Sequence, residues 1–248
     1  MARLAVVSGG ATGIGKAVAA TLARDGDRVV LLGRRAEALQ KAAADIEAAG
    51  ADGRVRWHSV DLMEPDQVQE AAGEIGGDGG QVDVLVNNAG GVSSAPTATL
   101  AETAAAWRED FDGNVLPTVL LTEALLPYIT RPGGRIVAIS SIAALRGAGS
   151  YGAAKAALHA WAYSLATQLA PDGVTVNVVA PGFVPDTEFW SGRLTHEVYA
   201  SRVQQIPMNR PGSPDEVAAA VRYLVSADAG WTTGQILQVN GGTVLGRG

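Results

Sequence analysis

The chain has 248 residues, 47% of them hydrophobic and 18% charged, with a formal net charge of −6. That length and composition suit one compact α/β domain and exclude a disordered polymer, while the acidic balance offers no broad positive field for nucleic acid. The absence of cysteine removes disulfides, thiolate nucleophiles and cysteine-ligated metals, and no apolar run reaches membrane-spanning length, so a cytoplasmic protein with no membrane partner is expected.

The apolar run Leu4–Val7 enters Ser8-Gly9-Gly10-Ala11-Thr12-Gly13-Ile14-Gly15, after which Val18 and Leu22 recur with a helical period. Strand, glycine turn and helix in this order suit a pyrophosphate: glycine lets the backbone approach closely, and a helix starting near Gly13 aims unpaired N–H groups over the turn. The bland alternative is a tight connection only. A helix to Asp25, a strand at Val29–Leu32, a helix over Ala36–Ala49 and a strand at Val55–Val60 follow, then a glycine-rich loop, Gly73–Gly80, and a strand at Val82–Val86. After Asn87–Gly91 come a mobile Ser/Pro/Thr segment and helical material containing Trp107, Phe111, Leu116 and Leu120. Arg135–Ile139 reads as a strand, Tyr151–Leu169 as a helix, and Val174–Val179 as a strand stopped by Pro181-Gly182. A loop with short helices over 183–213, a helix from Asp215 to Ser226 and a strand at Ile236–Val239 complete the chain. The alternation favours parallel crossovers. With no repeat or composition break, residues 1–248 read as one dinucleotide-binding domain with 183–213 as a substrate lid.

Ligands of open α/β sheets bind beyond the carboxyl ends of the strands. Gly9–Gly15, Gly33-Arg34, Asp61, Asn87–Gly90, Ser140-Ser141 and Pro181-Gly182 all follow strand runs and meet on one rim. At the second strand, neutral Gly33 leaves space and Arg34-Arg35 supplies cations that suit a 2′-phosphate, so NADP(H) is favoured over NAD(H); alternatively the arginines only border a solvated helix start. Asp61 either accepts from the adenine amino group, with Leu62 as an apolar edge, or caps a helix beginning near Pro65. Asn87, Ala89 and Gly90 build the cofactor site through small residues and amides. Tyr151 and Lys155 lie one helical turn apart on a shared face, where an ammonium lowers a phenol's pKa towards a range useful for proton transfer. His58, His159 and His196 have no metal-ligand spacing, so no metal is expected, and His159 reads as a helix-surface or interface residue.

The ordered set Gly9–Gly15, Asn87-Asn88-Ala89-Gly90, Asn114, Ile139-Ser140-Ser141, Tyr151-Gly152-Ala153-Ala154-Lys155, Pro181-Gly182 and Gly234–Gly242 resembles the classical short-chain dehydrogenase/reductase family over essentially the whole chain. The resemblance implies a single-domain Rossmann fold, a seven-stranded parallel sheet with helices on both faces, an NAD(P)-dependent carbonyl/alcohol reaction and a homotetramer. It further implies Tyr151 as acid or base, Lys155 as its tuner and the holder of the nicotinamide ribose, Ser141 as the orienter of the substrate oxygen, and Asn114 as the holder of a relay water. Thr12, Ile14, Val184 and Thr187 join the cofactor contacts. The loop from Ser141 to Tyr151 is shorter than the family usually shows, which leaves Ser140 and Ser150 as alternatives to Ser141.

Within that family the chain is similar to bacterial 3-oxoacyl-carrier-protein reductases. A small-molecule or carrier-linked ketone is the expected substrate, with Phe183, Phe189 and Trp190 as its apolar wall and Arg131 and Arg135 as anchors for an acidic carrier. The competing readings are an NAD-dependent alcohol dehydrogenase and a catalytically silent nucleotide-binding regulatory protein.

Overall fold

The computed structural model describes residues 2–51, 53–77, 80–93 and 98–246. Strands β1 (Leu4–Ser8), β2 (Arg28–Gly33), β3 (Val55–Ser59), β4 (Val84–Asn87), β5 (Arg135–Ile139), β6 (Thr175–Pro181) and β7 (Ile236–Val239) form one seven-stranded sheet in the order β3-β2-β1-β4-β5-β6-β7. Every pairing is parallel. The helices are α1 (Gly13–Arg24), α2 (Ala36–Ala48), α3 (Pro65–Gly77), α4 (Leu100–Asn114), α5 (Leu116–Leu125), α6 (Ala143–Arg146), α7 (Gly149–Leu169), α8 (His196–Gln204) and α9 (Pro214–Leu224).

The central strands are continuous apolar runs because both of their faces are covered. Alternation then divides each strand between two cores. Ala5, Val7, Val29, Leu31, Val84, Val86, Val137 and Ile139 pack with Val18 and Leu22 of α1, Leu39 and Ile46 of α2, and Val217 and Val221 of α9. Leu4, Val6, Val30, Leu32, Leu85 and Ile136 pack on the opposite face with Val68 and Ile75 of α3, Leu121 and Leu125 of α5, and Leu165 and Leu169 of α7. Thr99 with Glu102 and Ser213 with Glu216 form capping boxes that start α4 and α9, each worth about 1 kcal/mol.

Three local expectations change. The loop expected at Gly73–Gly80 is helical as far as Gly77. Gly76 serves packing there, since a Cβ on it would stand 2.3 Å from Cδ1 of the Tyr128 ring. His159 is buried and not at the surface, because α7 turns that face onto Ser140. The helical material after the Ser/Pro/Thr segment is split at Val115 into α4 and α5, and residues 94–97 of that segment lie outside the described residues.

Strand order reverses between β1 and β4, so the chain leaves these two neighbours in opposite directions around the sheet and opens a crevice at their carboxyl ends. Among the described residues, no helix is long and apolar enough to cross a membrane.

Candidate active site

The crevice is stitched by bonds between two short side chains and main-chain groups. Ser8 Oγ accepts from the amides of Asn88 and Ala89 at 2.9 and 3.0 Å, and Asn88 Nδ2 donates back to the carbonyls of Ser8 and Gly9 at 3.2 and 3.1 Å. Asn87, expected to make such ties, turns instead to Thr122 Oγ1 of α5 at 2.8 Å. The glycine turn winds so tightly that a Cβ on Gly15 would stand 2.1 Å from Gly9 O and 2.6 Å from Asn88 Nδ2. Gly9 and Gly13 hold φ of 61° and 51°, a region that favours glycine. Helix α1 begins here with no side-chain cap from Thr12 and no acidic residue in its first turn, which leaves its N–H groups available to an anion.

Along the rim, Gly33 has room, since a Cβ there would meet only Leu39 at ordinary contact distance, 3.7 Å. Arg34 and Arg35 are both exposed but differ in partners. Arg35 makes a two-pronged ion pair with Glu188 at 3.0 and 2.5 Å, whereas the Arg34 guanidinium has no such partner among the described residues. Asp61 does not cap α3 directly: its Oδ1 accepts from Met63 N at 3.1 Å and closes a turn ahead of the helix. Leu62 is buried in the core beneath α3 and α5.

At the other end, the Ser141 hydroxyl lies near the Tyr151 phenol, whose pKa it lowers against burial, and its Oγ accepts from Ala143 N at 3.1 Å. Ser140 and Ser150 are committed elsewhere. Ser140 Oγ donates to Lys155 O at 3.1 Å and lies 2.8 Å from His159 Nε2, while Ser150 Oγ donates to Asp110 Oδ2 at 2.6 Å. Of the three serines named from sequence, Ser141 is therefore the one that reaches Tyr151. Lys155, fully buried, donates to Ile139 O at 3.1 Å, and its Nζ lies 6.0 Å from the Tyr151 ring centre. Asn114 ends α4 with its amide donating to Gly91 O and Asp110 O, both at 2.8 Å. Gly90 brings the two together: a Cβ on it would meet Asn114 Oδ1 at 2.6 Å and Lys155 Nζ at 3.0 Å.

The electrostatics differ from the spacing argument. Burial pushes the Tyr151 phenol up to about 12; the nearby Ser141 hydroxyl opposes that, Asp110 adds to it, and Arg193 opposes it. Lys155 does not lower it, because the same burial brings the ammonium itself down to about 8.

Segment 183–213 leans over both ends. Thr187 packs above Gly13, with its Cγ2 3.1 Å from where a Cβ would be, and Arg35, aided by nearby Thr12, holds the Glu188 carboxyl below its usual pKa. Pro181 and Val184 are buried behind it, beside Gly182. Phe189 lies 5.4 Å from the Tyr151 ring, whereas Trp190 packs on Phe183 at 5.0 Å and Phe183 on Tyr199 at 5.7 Å. Phe189 thus faces Tyr151, and Trp190 and Phe183 pack behind it.

Arg131 and Arg135 are not available as anchors beside this rim. Arg131 pairs with Asp172, and Arg135 is buried with its guanidinium on the carbonyls of Gly133, Gly134 and Ser226, at the amino end of β5 and away from the crevice. A cavity of about 740 Å³ beside β3, bounded by Arg28, Arg54 and Glu74, is likewise remote from Tyr151.

Glu188, Asn88, Asp110 and Arg193 were not singled out by sequence. Asn88 stood inside a quoted motif, but nothing local distinguishes Asp110 from a solvent-facing helix carboxylate.

Residues 9–244 match the family model described as enoyl-(acyl carrier protein) reductase. An uncharacterised oxidoreductase of Methylorubrum extorquens is 36% identical over 247 residues, covering 97% of each chain. The 3-oxoacyl-(acyl-carrier-protein) reductase of Escherichia coli (strain K12) is 34% identical over 247 residues, covering 98% of each. The structure of a variant actinorhodin polyketide ketoreductase with NADPH superimposes with a TM-score of 0.86 at 29% identity, over 98% of this chain and 97% of that one. By fold, site order and these matches, the chain belongs to the classical short-chain dehydrogenase/reductase family of oxidoreductases, related to the bacterial 3-oxoacyl-carrier-protein reductases.

Proposed function

We propose that the chain reduces a ketone to a secondary alcohol with NADPH, and that Tyr151, Ser141, Lys155 and Asn114 are its reacting and relay groups. The observation that carries this reading is the convergence of the Ser141 and Tyr151 hydroxyls at the mouth of the crevice, with buried Lys155 one helical turn from Tyr151. Two hydroxyls that converge this closely serve one acceptor, and a carbonyl oxygen is such an acceptor.

The residues fit the cofactor. The Gly9–Gly15 turn, closed to any Cβ at Gly15, and the uncapped start of α1 suit a pyrophosphate, and Arg34 suits a 2′-phosphate beside the open Gly33. Thr12, Ile14, Arg35, Asp61, Leu62, Asn87, Ala89, Gly90, Pro181, Gly182, Val184 and Thr187 complete the proposed cofactor site. When bound, NADPH supplies the hydride to the carbonyl carbon. Ser141 and Tyr151 hold the carbonyl oxygen, and each such donor contributes about 3 kcal/mol as charge develops on it. Tyr151 remains protonated at neutral pH, as its raised pKa requires, and donates its proton to the forming alkoxide. Lys155, within reach of Gly90 and Asn114, stands where protons return from solvent.

The 183–213 segment acts as the lid, with Phe189 beside Tyr151 as the apolar wall. A 3-oxoacyl thioester is the leading substrate, supported by the name of the Escherichia coli relative. The homotetramer is supported by Trp107 and Phe111 on α4 and Tyr163 on α7, which expose large apolar surface on neighbouring helices, and by Tyr223 and Trp231, the latter fully exposed, towards the carboxyl end.

NADPH oxidation is measured with short, aromatic and thioester-linked ketones for the parent and Tyr151→Phe. The parent turns over at least one class, and Tyr151→Phe loses on the order of 10²–10⁴ in kcat while still binding NADPH. A parent that binds NADPH and turns over nothing across the panel would establish the silent regulatory reading instead.

A further inference from the structure

Asp110 is a buried carboxylate in α4, 3% exposed, that the proposed chemistry does not use. Its two oxygens are both engaged by segments that form the site: Oδ1 accepts from Ser93 N of the β4–α4 loop and Oδ2 from Ser150 Oγ, each at 2.6 Å. Its own carbonyl accepts from Asn114 Nδ2 at 2.8 Å. One residue therefore touches the loop that follows Asn87–Gly91, the relay asparagine, and the residue next to Tyr151.

The need for such a tie is visible at the start of α7. Only Gly147 and Ala148 separate it from α6, its N-cap residue Ala148 offers no side-chain cap, and Gly149 has φ 56°. The shortened connection leaves the first turn, which carries Tyr151, without local anchoring. A carboxylate beside that turn also sits where the helix dipole favours negative charge.

We propose that Asp110 is a positioning residue: through Ser150 and Ser93 its carboxylate holds the first turn of α7 so that the Tyr151 phenol meets Ser141. The proposal rests on the ketone-reduction reading. The charge has a second effect, since the groups facing Tyr151 are Lys155 from its own helix, Arg193 from the 183–213 segment and Asp110 from α4, and Asp110 is the negative member. Its presence favours the neutral, proton-donating phenol.

Asp110→Asn and Ser150→Ala are compared with the parent in kcat and KM for a ketone and in the pH profile of alcohol oxidation with NADP+. Ser150→Ala loses about tenfold in kcat, as a misplaced reacting group does, with NADPH binding and the pH profile unchanged. Asp110→Asn loses at least as much, and the acid limb of its oxidation profile moves to lower pH, because tyrosinate is no longer opposed by a neighbouring negative charge. Tyrosinate absorbance that vanishes in Tyr151→Phe is followed in the same proteins without substrate, and in Asp110→Asn it must begin at lower pH. That spectral shift in Asp110→Asn, with a parent that turns over no ketone, would overturn the ketone reading and support the Asp110 contact. Unchanged kcat in both variants, or losses that only track the folded fraction by circular dichroism with no shift of limb or spectrum, would overturn the role of Asp110.

Discussion

The two ends of the crevice are made of different material. Around Gly9–Gly15 two short side chains, Ser8 and Asn88, tie main-chain amides and carbonyls together, and at Gly15 the space is closed to a single carbon. Around Tyr151 the contacts are side chains, and a shortened loop is accommodated by a carboxylate on another helix. A turn packed against its own backbone therefore has no room for a Cβ at Gly15, while the contacts around Tyr151 draw on side chains from elsewhere in the fold.

The largest effect expected from that contrast comes from Gly15→Ala. Its Cβ would fall 2.1 Å from Gly9 O, a main-chain atom that cannot move alone. Overpacking of this kind costs on the order of 1–3 kcal/mol, and NADPH affinity falls by about a hundredfold or more as the turn widens; fluorescence titration and thermal melting measure both. A Gly15→Ala variant that binds NADPH like the parent would show the turn to be as plastic as the reacting end.

A smaller effect separates the two arginines. Arg34→Ala weakens NADPH by about 10- to 100-fold, the 1.5–3 kcal/mol of a charged hydrogen bond, and leaves NADH nearly unchanged. Arg35→Ala does less, because Arg35 is already bonded to Glu188. Equal losses for NADPH and NADH in Arg34→Ala would remove it from phosphate recognition.

The smallest effect is on stability and has the opposite sign to its effect on activity. Burial brings Lys155 from 10.5 down to about 8, so the fold bears the penalty of a charged lysine fully below pH 8 and loses that penalty as pH rises towards 10.5. Lys155→Met abolishes turnover yet raises stability by about 1–3 kcal/mol at neutral pH, net of the lost bond to Ile139 O. Melts across that pH range check the sign, since the gain must shrink as alkalinity rises.

Sequence legibility follows the same division. β1, β2 and β5 are legible because strands buried on both faces are apolar runs, and the glycine turn because its requirement is for absent atoms. The choice among the three serines was not legible in the sequence, because the bonds of Ser140 to His159 and of Ser150 to Asp110 join residues distant along the chain. Gly73 and Gly76 read as loop formers, yet both lie in α3, and at Gly76 the Tyr128 ring occupies the space a side chain would need. The Tyr151–Lys155 spacing indicates proximity and says nothing of how deeply both are buried, so it gave the wrong sign for the phenol.

The reversal of strand order between β1 and β4 also bears on how the protein reaches its native state. Val6 pairs with Leu85, and Ser8 Oγ waits for the Asn88 amide 80 residues further on. Such a contact is made only after the entropy of closing a long loop has been met. A newly made chain can assemble the β1–α1–β2 unit early, but the crevice exists only when β4 docks against β1. The Gly9–Gly15 turn and Arg34 belong to that early unit, so full-affinity capture of NADPH during refolding reports the arrival of β4 and the completed crevice.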